Sequence, residues 1–220
     1  MLRKIFAALS ILLLVSCGGG GGGGGSSNDA KLSGARILHG VIEAAPVDLV
    51  SSLQGVVQTA KFGESAGYAE FQSGTHVLNL FRTKDISSSI STREVTNNKN
   101  QKHTVLFYGD RADFGLRSTL ISEEFPEVPD GSSFVRVIHA AVGAGSLEIV
   151  LSSATIIAGF GSASTYATAT PGPLTLNIRR ASDKTLVDSV TFTAEQGKAY
   201  SIFVAGEVGY LVVTKILNEN

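Results

Sequence analysis

The sequence predicts an all-β protein: two tandem immunoglobulin-like antiparallel β-sandwich domains behind a leader segment and a glycine-rich linker. Three observations lead there. Apolar residues recur with a period near two, the alternation of half-buried strands, and breaks fall every eight to twelve residues. No segment has the apolar stripe of an amphipathic helix of twelve or more residues. The chain also repeats itself about a hundred residues on, so one supersecondary plan is written twice.

The first element is an address. Arg3 and Lys4 give a positive start, residues 5–15 form an apolar run, and small Ser16 precedes Cys17, the chain's single cysteine. Eleven apolar residues are too few to cross about 30 Å of hydrocarbon. The order resembles a bacterial lipoprotein signal. That resemblance implies a signal peptide over 1–16, removed before Cys17, and a Cys17 carrying diacylglycerol on sulfur and a further acyl chain, such as palmitate, on its new amino group. Glycine, not aspartate, follows at position 18, which by the same resemblance favours the outer membrane of a Gram-negative envelope, facing either the periplasm or the surface. Residues 17–34 then read as a lipidated cysteine and flexible tether. Gly18 to Gly25 and the Ser-Ser-Asn-Asp that follows bury no apolar surface and lose much entropy on ordering. A phosphate-binding loop is the sharper reading of these glycines. No strand precedes them, and no helix with a Gly-Lys-Ser/Thr ending follows.

The first repeat is assigned to 35–130, with candidate strands at 35–41, 46–52, 55–61, 66–72, 76–82, 89–96, 103–108 and 114–121. In the fifth of these, Leu78 and Leu80 share one face and Val77, Asn79 and Phe81 the other, so both sides are candidates for cover. Gly74 and Gly172 open corresponding strands as turn residues needing positive φ. The joint spans Ser122 to Ser133, where acids, Pro126, Pro129 and Asp130-Gly131 cluster. Few core contacts are expected to cross it. The second repeat occupies 131–220. Its matches run in order: Arg36 with Arg136, His39 with His139, Val47-Asp48-Leu49 with Leu147-Glu148-Ile149, Phe62-Gly63 with Phe160-Gly161, Tyr68 with Tyr166, Lys102 with Lys198 and Phe107 with Phe203. Seven or eight short strands per hundred residues suit a sandwich. The runner-up, one sixteen-stranded barrel, fits the repeat and the polar joint less well.

At these residues the chain resembles the bacterial domain-of-unknown-function 4397 family, whose repeats open with a strand close to Arg-Val-Val-His followed by an apolar-Asp-apolar strand. Arg36, His39, Val47, Asp48 and Leu49 occupy that pattern, as do Arg136, His139, Leu147, Glu148 and Ile149. The resemblance covers nearly all of 35–220. The family's Ser-Pro-Asp after the histidine is replaced by Val41-Ile42-Glu43 and Ala141-Val142-Gly143, so any ligand chemistry of that loop is not retained. The family name itself attaches no activity.

Composition narrows function by exclusion. Eighteen Lys and Arg against nineteen Asp and Glu give a formal charge of −1, leaving no basic stripe for nucleic acid or for anionic headgroups. Cys17, once lipidated, leaves no thiol for a disulfide, a metal or a nucleophile. His39 and His139 end their first strands. Without histidine or cysteine neighbours at ligand spacing, each is expected to hold the following loop's backbone through a ring nitrogen, and no metal is expected. His76 and His103 face Leu174 and Ala199 in the second copy and are read as surface residues. Tyr68 and Tyr166 are read as buried tyrosines capping a loop, with glycan stacking the functional alternative. Asp110, Asp113, Glu123, Glu124, Glu127 and Asp130 lack the every-second-residue spacing of a calcium loop and are read as a solvated acidic joint. Gly159-Phe160-Gly161-Ser162 lacks the spacing and helix of a nucleophile elbow, so no catalytic residue and no cofactor are expected. The resulting expectation is a membrane-anchored, non-catalytic envelope lipoprotein that serves as a protein-interaction or structural module with an envelope protein partner. A glycan-binding or adhesive surface module is the alternative.

Overall fold

The computed structural model describes residues 32–219 apart from 66, 99, 110–114, 152 and 153. Cys17 and the linker through residue 31, Asp110 and Asp113 lie outside the described residues; the last three residues assigned to the flexible tether, Leu32 to Gly34, instead open β1, where they pair with Gln72, Phe71 and Glu70. Every regular element described is a strand. In chain order they are β1 (Leu32–His39), β2 (Val47–Ser51), β3 (Gly55–Ala60), β4 (Ala69–Gln72), β5 (Gly74–Arg82), β6 (Ser91–Asn97), β7 (Lys102–Tyr108) and β8 (Arg117–Glu123). After the joint come β9 (Ser133–Val142), β10 (Leu147–Val150), β11 (Thr155–Ala158), β12 (Ser162–Ala163), β13 (Ala167–Ala169), β14 (Gly172–Arg180), β15 (Leu186–Ala194), β16 (Ala199–Glu207) and β17 (Leu211–Asn218). Each of the eight segments expected in the first half corresponds to a strand. Among the described residues no helix is long and apolar enough to cross a membrane.

The strands form four sheets, ordered β3-β2-β5-β6, β4-β1-β7-β8, β12-β9-β16-β17 and β11-β10-β14-β15, with β13 also paired to β9. They do not join into one sixteen-stranded barrel. The pairing scheme of the first half recurs in the second, including one feature the antiparallel expectation missed. β1 runs parallel to β7, and β9 parallel to β16. Parallel neighbours cannot be joined by a hairpin. The chain therefore leaves β1, builds the facing sheet, and returns to lay β7 along β1.

Alternation sets the layering. On β1, Ala35 and Ile37 point toward the β3-β2-β5-β6 sheet and pack with Leu49, Leu78, Leu80, Val105 and Phe107. In the second half Val135, Val137, Ile202 and Val204 pack with Leu147, Ile149, Leu176 and Ile178. The opposite faces of the central strands are apolar too. Leu38 and Leu106 of the first half meet Ile138, Ala140, Phe203 and Ala205 of the second in a continuous buried cluster. The four sheets thus stack in four layers, and the joint is crossed by an apolar core instead of few contacts. The physical reason is visible in the runs Ile37-Leu38, Leu106-Phe107, Val137-Ile138 and Phe203-Val204-Ala205, which are apolar on both faces, as strands covered on both sides are. Contact is close enough that backbone meets backbone. Gly206 N–H donates to Gly40 O at 3.3 Å. A Cβ built on Gly40 would lie 2.4 Å from that of Ala140.

Candidate functional site at the joint of the two halves

Two arginines and two glutamates converge at one end of this inter-half face, where β1, β7, β9 and β16 begin and β8 and β17 finish. Arg36 lies two residues before Leu38 on β1, so alternation turns it to the same face. Arg136 does likewise before Ile138 on β9. Both guanidiniums are buried, as are Glu123, the last residue of β8, and Glu219, which follows β17. Glu219 is fixed by its own backbone N–H, which donates to Ala199 O at 2.9 Å.

The carboxylates are exchanged between halves. Glu219 of the second half takes a two-pronged grip on Arg36 of the first, with Nη1 donating to Oε2 at 2.9 Å and Nη2 to Oε1 at 2.7 Å. Glu123 of the first half accepts from Arg136 Nη2 of the second at 2.5 Å. Longer cross-contacts close the square: Arg36 to Glu123 at 3.4 Å and Arg136 to Glu219 at 3.6 Å. Each remaining Nε donates to a hydroxyl on the neighbouring parallel strand, Arg36 to Thr104 at 2.8 Å and Arg136 to Ser201 at 2.7 Å. Thr104 Oγ1–H in turn donates to Glu123 Oε1. Tyr68 and Tyr166 cover the two guanidiniums at 4.6 and 4.7 Å from ring centroid to Cζ. Burial works against the Arg36 charge, but the charge and hydrogen bonds of Glu219, helped by Tyr68 and Glu123, outweigh it and hold its pKa above the ordinary value. Burial raises both phenols, Tyr166 to about 12, so both stay neutral. Two cations and two anions balance.

Phe125, just past β8, lines two cavities beside this cluster. One, of about 590 Å³, is bounded by Ser33, Gly34, Tyr68, Glu70, Asn100, Lys102 and Phe125. The other, of about 550 Å³, has Arg136, Tyr166, Phe134, Pro126 and Glu124 among its walls. In the first, Lys102 Nζ sits 4.9 Å from the Tyr68 centroid and 5.4 Å from that of Phe125. The two rings meet edge to face at 6.2 Å.

The residues singled out by sequence are placed as follows. His39 accepts Val41 N–H at Nδ1 and meets Ala45 O at Nε2, 3.2 Å away. His139 accepts Ala141 N–H and meets Gly145 O at 2.8 Å. Both rings must therefore be neutral with the proton on Nε2. Burial lowers both pKa values, that of His139 to about 4. Gly74 and Gly172 adopt φ of +138° and +123° at the start of β5 and β14. Tyr68 and Tyr166 serve as covers for the arginines; Tyr68 Oη approaches Thr104 Oγ1, a strand side chain, not a loop. His76 and His103 are buried, contrary to the surface reading. Both sit on inward positions of β5 and β7, and His76 lies edge-on to Phe71 at 5.0 Å. Glu123 is likewise no member of a solvated joint, while Glu124, Glu127 and Asp130 are exposed. Among the described residues no group of three acids, histidines or cysteines is placed to hold a metal. Glu219 is not among the residues that the sequence motifs single out. Its signal was present, because Glu123 and Glu219 match at the same spacing as Lys102 and Lys198.

No curated protein matches the chain. Among solved structures it is similar to a leucine-rich repeat protein from Bacteroides thetaiotaomicron, at 12% identity and a TM-score of 0.20, over 81% of this chain and 27% of that one. The profile of the domain of unknown function (DUF4397) matches residues 33–150, from β1 through β10, and so takes in Arg36, Tyr68, Glu123, Arg136 and both strand-end histidines. By that match over more than half its length, the chain belongs to the DUF4397 family.

Proposed function

We propose that this protein is a membrane-anchored, non-catalytic lipoprotein of the cell envelope whose folded part is a rigid protein-interaction or structural module. On this reading its halves are tandem copies of one immunoglobulin-like sandwich, held by the lipid on Cys17 at the outer membrane. The observation that supports it best is the exchange of Glu219 and Glu123 across the joint, which spends every charge of the cluster on orientation. Buried ion pairs add little net stability compared with apolar replacements but penalise wrong arrangements heavily. A module whose two halves keep one orientation presents its outer loops and sheet edges at fixed spacing to an envelope protein partner.

The test has two arms. Cys17→Ser removes the thioether and is expected to leave the protein unprocessed or released from membranes; unchanged partitioning after signal cleavage would refute the anchor. Full-length protein crosslinked in whole cells is expected to return one reproducible envelope partner, lost when exposed loop residues are changed but kept in a core variant of equal stability. A diffuse crosslinking pattern would refute the interaction reading. A second reading, glycan binding, is favoured by one observation: the 590 Å³ cavity brings Tyr68 and Phe125 together with polar side chains.

A further inference from the structure

The Lys102 cavity carries an inference that rests on the glycan reading and sharpens it. Its volume of about 590 Å³ lies within the range of small-molecule pockets. Its walls combine apolar ring surface with three kinds of polar group. The Lys102 ammonium is flanked by Tyr68 and Phe125, which attract the cation without neutralising it. Among the described residues it forms no salt bridge, whereas the neighbouring arginines are fully paired. Glu70 shares the cavity and, among the described residues, has no ion pair either. Asn100, held at φ +64°, adds an amide able to donate and accept. An unneutralised cation, an acceptor-only carboxylate, an amide and two rings in one cavity ask for a ligand with a carboxylate, several hydroxyls and an apolar C–H face.

We propose that this cavity binds an acidic sugar residue, a uronate, of an envelope or surface polysaccharide. The sugar carboxylate pairs with Lys102, its hydroxyls donate to Glu70 and bond with Asn100, and the C–H face of the ring rests on Phe125. A neutral sugar would make no use of the ammonium, and a purely apolar ligand would use neither it nor Glu70. Ser33 and Gly34 place the cavity beside the start of β1.

The experiment uses the full-length protein in detergent micelles, titrated calorimetrically with tetragalacturonate and, separately, with the uncharged galactose tetramer. Tetragalacturonate is expected to bind, and Lys102→Gln is expected to weaken it by about tenfold or more, the loss of one charge-assisted hydrogen bond. Phe125→Ala should weaken the acidic and any neutral ligand alike, while both variants keep the parent's melting temperature to within a few degrees. Binding of the neutral tetramer alone would overturn the acidic-sugar assignment yet leave the glycan reading standing. Binding of neither would overturn both. Binding of tetragalacturonate that is unaffected by Lys102→Gln and by Phe125→Ala would overturn the site.

Discussion

Replacing Glu219 by alanine should cost far more than a substitution just past the last strand ordinarily does. The substitution removes two charge-assisted hydrogen bonds to Arg36, at 2.9 and 2.7 Å, and a 3.6 Å contact to Arg136. What remains are two guanidiniums, 3% and 4% exposed, facing the single carboxylate of Glu123. Breaking a buried pair on one side costs about 3–5 kcal/mol because a desolvated charge is left over. The lower end of that range, about 3 kcal/mol, is the expectation. The Lys184–Glu148 pair is the internal control. At 2.5 Å it is shorter, but the lysine is 57% exposed, so Lys184→Ala should cost under about 1 kcal/mol. Urea unfolding of the segment from residue 31 onward reads both, as a shift in midpoint at unchanged slope. Arg36→Met combined with Glu219→Ala should recover more than half of the single loss by rebalancing the cluster. A Glu219→Ala midpoint within about 0.5 kcal/mol of the parent, or a double variant no better than the single one, would refute the claim that these charges are buried and mutually dependent.

Acid should weaken the fold through the strand-end histidines. His139 is neutral when folded, with its pKa lowered from 6.5 to about 4, so the unfolded chain takes up a proton first as pH falls. Its contribution is fully present above about pH 6.5 and is lost between there and pH 4, amounting to about 3 kcal/mol at about 1.4 kcal/mol per pH unit. Urea midpoints measured across that window should fall steeply in the parent and less steeply in His139→Gln; equal slopes would contradict the neutral Nε2–H form. Gly40→Ala should overpack the inter-half face, since the new Cβ would sit 2.4 Å from Ala140 Cβ, at a cost of about 1–3 kcal/mol. Adding Ala140→Gly should relieve it, and thermal melts that show no rescue would mean the halves do not touch there.

Local structure was plain in the sequence wherever one face of a strand was polar. Period-two alternation and turn residues located the first-half strands, and the repeat doubled their signal. The assembly of the halves was harder to see. It depends on Leu38, Leu106, Ile138 and Phe203, apolar residues whose neighbours are also apolar, and alternation is silent about which face meets which partner. Arg36 and Arg136 were visible as landmarks, but a charged residue within a strand reads as solvent-facing unless its counter-charge is known. Here the counter-charge lies at the end of the opposite half, 183 residues away for Arg36 and Glu219. His76 and His103 misled for a related reason. The absence of a matching histidine in the second half does not imply exposure, because a first-half core can hold a ring where the second half has leucine or alanine.

Differential scanning calorimetry tests the inter-half lock most directly. With an apolar layer and an exchanged ion-pair cluster joining the halves, residues 31–220 should melt in one transition whose calorimetric and van't Hoff enthalpies agree, the mark of one cooperative unit. Two resolved transitions, or a calorimetric enthalpy about twice the van't Hoff value, would show halves that unfold independently and would contradict the account.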